Sequence, residues 1–289
     1  MNSDPRYETT EPLLEIRGLT VDFDGFLALD DLSLSVARGE LRFLIGPNGA
    51  GKTTLLDVVT SLTAPTSGQV LYRGEDVTGT AEHKLVREGI GRSFQTPTVF
   101  EELTAAENLD LAEGYRRSFL SRFRAARQAS PAVVETLERI GLLPVAEEPA
   151  GSLSHGQKQW LEIGMLLVQQ PELLLLDEPV AGMTPQERQA TGRLLEELAE
   201  EHTVIVVEHD MAFLRQFARH VTVLHQGRLL CEGNVNEVVT DPQVREVYLG
   251  RNHSEVSAEA SGDDDSPAAI SGEDADDTLY PVAVTRGLP

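Results

Sequence analysis

The sequence predicts an α/β fold with a mainly parallel central sheet, and three observations carry that expectation. The apolar run Leu41, Phe43, Leu44, Ile45 leads directly into Gly46 to Thr54, GPNGAGKTT, which meets G-x-x-x-x-G-K-[ST] at every fixed position. Two further runs, Leu173 to Leu176 and Val204 to Val207, have the unbroken hydrophobicity of strands covered on both faces. Between the first run and these two, residues 97 to 150 carry helical spacing with no strong strand signal, as an inserted helical piece would.

The glycine-rich stretch points to phosphate. A triphosphate concentrates negative charge, and a loop can surround it only if backbone N–H groups turn inward, which the missing side chains of Gly46, Gly49 and Gly51 permit. A helix starting near Gly51 directs its positive end at the same charge. Lys52 then supplies an ammonium for the β- and γ-phosphates and the Thr53 hydroxyl an oxygen for Mg²⁺. The expected nucleotide-binding set here is Gly46, Pro47, Asn48, Gly49, Ala50, Gly51, Lys52, Thr53 and Thr54.

The 289 residues suffice for one large α/β domain or two small ones. No run approaches the roughly 18 to 20 apolar residues of a membrane-spanning helix, and Met1 to Thr10 lacks an apolar signal-type stretch, so the expected location is cytoplasmic. The single cysteine, Cys231, excludes an internal disulfide and reads as a packing residue. Lys plus Arg number 24 against 47 Asp plus Glu, a net charge of −23 that argues against nucleic acid as a partner. Lysine is confined to Lys52, Lys84 and Lys158. A densely acidic, lysine-poor surface suits a protein hydrated in concentrated salt, where repulsion is screened within a few Å. The expected result is loss of fold and activity on transfer from molar KCl to low salt; equal stability in both, by thermal unfolding, would overturn a halophilic origin.

In chain order, residues 1 to 11 are a polar lead-in. Leu13 to Phe23, LLEIRGLTVDF, reads as a strand, Asp24-Gly25 as a turn and Leu32 to Val36 as a second strand. Phe23 is open to two readings, a purine-stacking ring or a core strand aromatic. After the loop and its helix come a turn at Thr63 to Gly68, a short strand Gln69 to Tyr72, a helix Ala81 to Glu88 and a strand Gly91 to Gln95. Helical spacing follows in Thr104 to Gly114, Arg116 to Ala129 and Pro131 to Ile140. In LSHGQKQWLEIGMLL, Leu153 to Leu167, a Ser and a Gly precede an apolar helix whose start suits an anion.

The run Leu173 to Leu176 ends in Asp177-Glu178-Pro179, and two acids at the end of a buried strand call for a cation. Gln186 to Glu201 is a periodic helix, and Val204 to Val207 ends in Glu208-His209-Asp210. That edge should adjoin the P-loop, because ligands gather beyond the carboxyl ends of parallel strands. Two short strands, Val221 to His225 and Arg228 to Glu232, precede helical segments ending at Tyr248-Leu249-Gly250. Residues 251 to 289 are acidic and too polar to pack, and the expectation is disorder.

Taken together, residues 12 to 250 resemble the ATP-binding subunit of ABC transporters: the P-loop, Gln95 as the Q-loop, LSHGQ at 153 to 157 as the signature, LLLLDEP at 173 to 179 as Walker B and His209 as the switch histidine. The resemblance implies a P-loop NTPase of the ABC type, with an antiparallel β subdomain and a helical subdomain at about 97–170. It implies ATP and Mg²⁺, with Thr53, Gln95 and Asp177 toward the metal. Glu178, His209 and Gln95 would act in hydrolysis, Phe23 at the adenine, and Ser154, Gly156 and Gln157 on the ATP of another copy. Three positions depart from the pattern: His155 for a signature glycine, Phe23 for the usual tyrosine, and Ala181 to Thr184, AGMT, for the usual SALD.

Within that family the chain resembles the branched-chain amino acid and amide uptake group. GRSFQTPTVFEELTAAENL, LSHGQKQWLEIGMLL and LLLLDEPVAGMTPQE resemble its urea-transporter (UrtD) type more than its leucine type, which implies a subunit that hydrolyses ATP to power a membrane importer for urea or short-chain amides. The implied partners are a second ATP-binding subunit, identical or paralogous, membrane permease subunits docking near Gln95 and the helical insert, and an external solute-binding protein. The implied place is the cytoplasmic face of the membrane. A branched-chain amino acid importer and a soluble, non-transport ABC ATPase are the alternatives.

Overall fold

The computed structural model describes residues 11–114 and 130–247. The expected helix Arg116 to Ala129, the lead-in through Thr10, the Tyr248 to Gly250 end and the acidic tail lie outside them. The chain opens with a hairpin of Pro12–Phe23 (β1) and Phe26–Ala37 (β2), then the P-loop strand Leu41–Ile45 (β3) and the helix Lys52–Val59 (α1). Ser67–Tyr72 (β4), Glu75–Asp76 (β5), Glu82–Glu88 (α2) and Ile90–Arg92 (β6) follow. Ala105–Gly114 (α3), Pro131–Arg139 (α4) and His155–Leu167 (α5) make up the helical stretch. Leu173–Asp177 (β7), Pro185–Leu198 (α6), Thr203–Val207 (β8), Met211–Phe217 (α7), His220–His225 (β9), Arg228–Asn234 (β10) and Val235–Thr240 (α8) complete the described elements.

Among the described residues two sheets form, a four-stranded one ordered β2-β1-β4-β5 and a six-stranded one ordered β10-β9-β3-β8-β7-β6. The first is antiparallel; in the second every neighbouring pair is parallel except β9 with β10. The apolar runs are explained by what covers the two faces. Phe43, Leu174, Leu176, Val204 and Val206 pack with helical residues such as Leu109, Val133, Leu161 and Phe213. Their neighbours Leu44, Leu173, Leu175, Ile205 and Val207 pack with α1 and the antiparallel sheet, including Leu14, Val36 and Leu56. A strand whose odd and even residues both enter a core takes a polar side chain only where that group is buried with partners, as Arg42 of β3 is with Glu40 and Thr222. Each fully buried Leu or Val stabilises the fold by roughly 1.5 to 3 kcal/mol.

Two local expectations change, and one helix was not expected. β2 begins at Phe26, six residues before the expected start. Asp31 has a positive φ of 50° and the β1–β2 register shifts there, which breaks the alternation that would have marked the strand. The strand expected over Gly91 to Gln95 is only β6, and Gln95 lies exposed in the loop beyond it. Among the described residues β6 pairs only with β7, and its ladder ends at the Ser93 N–H, which donates to the Leu175 carbonyl at 2.9 Å, while the next N–H, of Phe94, turns to the Glu162 carboxylate. The helix α7 had no apolar period long enough to announce it; its start is set by Asp210, whose carboxylate accepts from the N–H groups of Ala212 and Phe213. Among the described residues no helix is long and apolar enough to cross a membrane.

Candidate functional site

The strand order β6-β7-β8-β3 brings the loops after these strands side by side, although they are far apart in sequence. Gln95, Asp177-Glu178, Glu208-His209 and the P-loop therefore share one sheet edge, the carboxyl edge where parallel sheets bind ligands.

At the P-loop, close packing dictates the glycines. A Cβ on Gly46 would run into the Leu224 carbonyl oxygen, and one on Gly51 would lie 2.6 Å from the Ala28 carbonyl oxygen. Both residues have positive φ, 156° and 101°, and Gly51 caps α1 with no side chain of its own. The loop is thereby clamped between the ends of β2 and β9 with the first turn of α1 open to an anion. Lys52 is only 8% exposed and donates to the carbonyls of Gly46, at 2.7 Å, and Pro47, at 3.2 Å. Its ammonium thus lies across the loop it follows, while the Thr53 side chain is exposed.

Asp177 ends β7 at 3% exposure, and its N–H donates to the buried Ser93 hydroxyl. Burial pushes its carboxyl above the ordinary range; the Arg92 guanidinium and the Lys52 ammonium oppose this, and Glu178 and Asp57 reinforce it. Arg92, which sequence reasoning passed over, is itself fixed by Asp57 at 2.6 Å and Thr60 at 3.1 Å.

Glu178 stands in the left-handed region, φ 49°, a conformation that costs a non-glycine residue of order 1 to 3 kcal/mol. Pro179 ends the strand there, and the Glu178 N–H still bonds to the Val207 carbonyl at 2.9 Å. Its Oε1 comes 3.3 Å from Nδ1 of His209. The neighbour Glu208, also missed, explains how this pair is held. Its buried carboxylate accepts from the N–H groups of His209, Asp210 and Val180, tying the loop after β8 to the loop after β7, and burial raises its titration.

The signature segment is a separate piece of the surface. Ser154 caps α5: its Oγ accepts from Gln157 N–H at 3.2 Å while Gln157 Oε1 accepts from Ser154 N–H at 2.9 Å, a reciprocal capping box. The Ser154 hydroxyl also donates to Glu187 Oε1 at 3.3 Å, and Glu187 Oε2 accepts from the N–H and hydroxyl of Thr184. Gly156 is needed for this contact, since a Cβ there would lie 2.6 Å from Glu187 Oε1. His155, the departure from the glycine pattern, packs toward Gly182. Thr184, in place of the usual Asp, is the N-cap of α6 and ties its own loop to the signature through Glu187. None of the expected residues at 154 to 157 meets the P-loop contacts described above; the P-loop packs on Ala28, Leu224 and Gly227.

Phe23 ends β1 opposite Phe26 at the hairpin tip and is 51% exposed. It is not a core residue, which leaves its face available for stacking. Cys231 packs beside the core at partial burial, which pushes its thiol up to about 11 and leaves it protonated at neutral pH.

The donor set fits a magnesium nucleotide. Among the described residues no group of three or more His, Cys, Asp and Glu could cage a metal ion. A hydroxyl at Thr53 and a carboxylate at Asp177 instead suit an ion that brings most of its oxygens with it as phosphate and water. The buried Asp177, pressed by two neighbouring acids, is a place where a cation relieves charge.

Residues 29–181 match the family model described as ABC transporter, and residues 228–254 match the one described as Branched-chain amino acid ATP-binding cassette transporter. The chain is similar to the high-affinity branched-chain amino acid transport ATP-binding protein BraF of Pseudomonas aeruginosa, 36% identical over 252 residues that cover 83% of this chain and 99% of BraF. It also resembles the crystal structure of the ADP conformation of an ATP-binding cassette of an ABC transporter, with a TM-score of 0.74 and 31% identity over 83% of this chain and 100% of that one. A dimeric cassette in a post-hydrolysis state, bound to ADP and Pi, matches with a TM-score of 0.67 and 27% identity over 77% of this chain and 98% of that one.

Proposed function

Because this chain belongs to the ABC transporter family of ATP-binding subunits, we propose that it powers a membrane importer for branched-chain amino acids. The observation that carries the substrate class is the match of residues 228–254 to the branched-chain model, which lies outside the stretch common to ABC proteins at large. The urea reading drawn from motif wording finds no support among these relatives and gives way to its alternative.

The chain is an ABC-type ATPase that uses ATP with Mg²⁺. ATP supplies the transferable γ-phosphoryl group, and Mg²⁺ screens its charge. In our assignment Lys52 and the loop N–H groups bind the phosphates, Thr53 and Asp177 hold the ion's coordination sphere, with Gln95 toward it, and Phe23 stacks on the base. Glu178 orients and accepts a proton from the attacking water, and His209, 3.3 Å from it, contacts the γ-phosphate. The signature residues Ser154, Gly156 and Gln157 close over the ATP of a second ATP-binding subunit arranged head to tail. ATP then joins the two halves and hydrolysis releases them.

Membrane permease subunits take up that motion. An apolar groove of about 540 Å³, lined by Leu85, Ile90, Phe94, Phe100, Leu111 and Leu166 among others, opens beside Gln95 and suits a short permease segment. Phe94, Phe100 and Leu111 are exposed in it, as a docking surface requires. The chain would work at the cytoplasmic face of the membrane, with the permease receiving solute from an external binding protein.

The test is uptake of labelled leucine and labelled urea by cells whose own copy carries Glu178→Gln. Loss of leucine uptake with urea uptake intact is expected. Loss of urea uptake alone would overturn the substrate, and loss of neither would overturn the importer role.

A further inference from the structure

The Gln95 loop is closed by a residue from another part of the chain. Phe94 N–H and Thr98 N–H both point to one oxygen, Oε1 of Glu162, at 3.5 and 3.3 Å. The segment between them, Gln95-Thr96-Pro97, therefore forms an arch over a single carboxylate, with Gln95 exposed in it. Glu162 is 5% exposed and sits on α5, eight residues, or about 12 Å of helix, beyond the Ser154 cap. Its second oxygen, Oε2, is buried with no hydrogen-bond partner among the described residues.

Such a residue is expensive to keep. Burial pushes the Glu162 carboxyl up to about 7, and the two loop N–H groups only partly offset it. An apolar side chain at the same place in α5 would extend the row of Leu161, Ile163 and Leu167 without that cost. What a carboxylate adds is an acceptor for two N–H groups that the arch, lifted off the edge of β6, cannot give to a neighbouring strand. The same arch carries Phe94, whose ring lies against the Arg92 guanidinium and lines the apolar groove.

We infer that Glu162 is a positioning residue of the ATPase, closing the Phe94–Thr98 arch that presents Gln95 and tying it to the helix that starts at Ser154. A push on Phe94 is then transmitted both to Gln95 and, through Glu162, to α5. Glu162 itself touches no nucleotide, so its loss alters turnover and not affinity.

Glu162→Ala and Glu162→Gln in the full chain separate this from a packing role, because glutamine keeps the volume and one acceptor oxygen. In Glu162→Ala, amide exchange of peptides covering residues 92 to 100 is expected to quicken about tenfold, the equivalent of one hydrogen bond to a charged group. kcat for ATP should fall about tenfold with KM within twofold of wild type. Glu162→Gln should restore both to within about threefold. Unchanged exchange in the alanine variant, a rise in KM at constant kcat, or equal losses in the two variants would overturn the inference. Should the alanine variant fail to fold, Glu162→Met, which fills the site without an acceptor, takes its place in the same comparison against Glu162→Gln.

Discussion

Glu178→Gln is expected to lower ATP turnover by about 10² to 10⁴-fold while leaving ATP affinity within about twofold of wild type. The backbone that sets Glu178 in its left-handed turn is unchanged by the substitution, because it depends on Pro179 and on the N–H bond to Val207. The amide also keeps a polar atom within reach of His209, 3.3 Å from the carboxylate in the native protein. What is lost is the charge and the capacity to accept a proton from water. With binding intact and hydrolysis stopped, ATP should accumulate the joined form of two subunits, seen as a dimer by size-exclusion chromatography. Phosphate release measured under saturating ATP decides the matter. Turnover within threefold of wild type would remove Glu178 from the chemistry.

Lys52→Ala is expected to act on the other half of the cycle. The Lys52 ammonium is nearly buried and already oriented across the P-loop by the carbonyls of Gly46 and Pro47. Removing one partner of a desolvated charge pair costs about 2 to 5 kcal/mol, so ATP affinity should fall by roughly 30-fold to several thousand-fold. The same substitution removes a donor from the loop and should lower folding stability by about 1.5 to 3 kcal/mol. Calorimetric titration with ATP and thermal unfolding of the same samples separate the two effects. Affinity within fivefold of wild type would mean that the loop N–H groups bind the phosphates without Lys52.

Much of the architecture was legible because its signals are local. Gly46, Gly51 and Lys52 stand at fixed spacing since one short loop must satisfy both a tight turn and a phosphate. β7 and β8 were legible because burial on two faces removes alternation from the sequence itself. The start of α5 was legible from Ser154 and Gly156, and α6 from its period over Gln186 to Glu201 rather than from its Thr184 cap.

Other residues were silent for a common reason. Glu162 reads as one more polar residue in a helix, Glu208 as the flank of a histidine, and Glu187 as a capping acid. Their partners are Phe94 and Thr98, Val180, and Ser154, separated from them by 68 and 64, 28 and 33 residues. Gln95 was expected in a strand because the residues before it carry strand character, yet the chain leaves β7 after Ser93, where the next N–H, of Phe94, turns to Glu162. Phe23 was undecided until the hairpin tip exposed it. By itself, then, the sequence determined the α/β class, the P-loop and the set of acids at the strand ends, because hydrophobic period and short fixed spacings are properties of adjacent residues. The tertiary structure alone decided which carboxylate holds which loop, because a buried acid is satisfied by backbone N–H groups that only the strand order β6-β7-β8-β3 brings within reach.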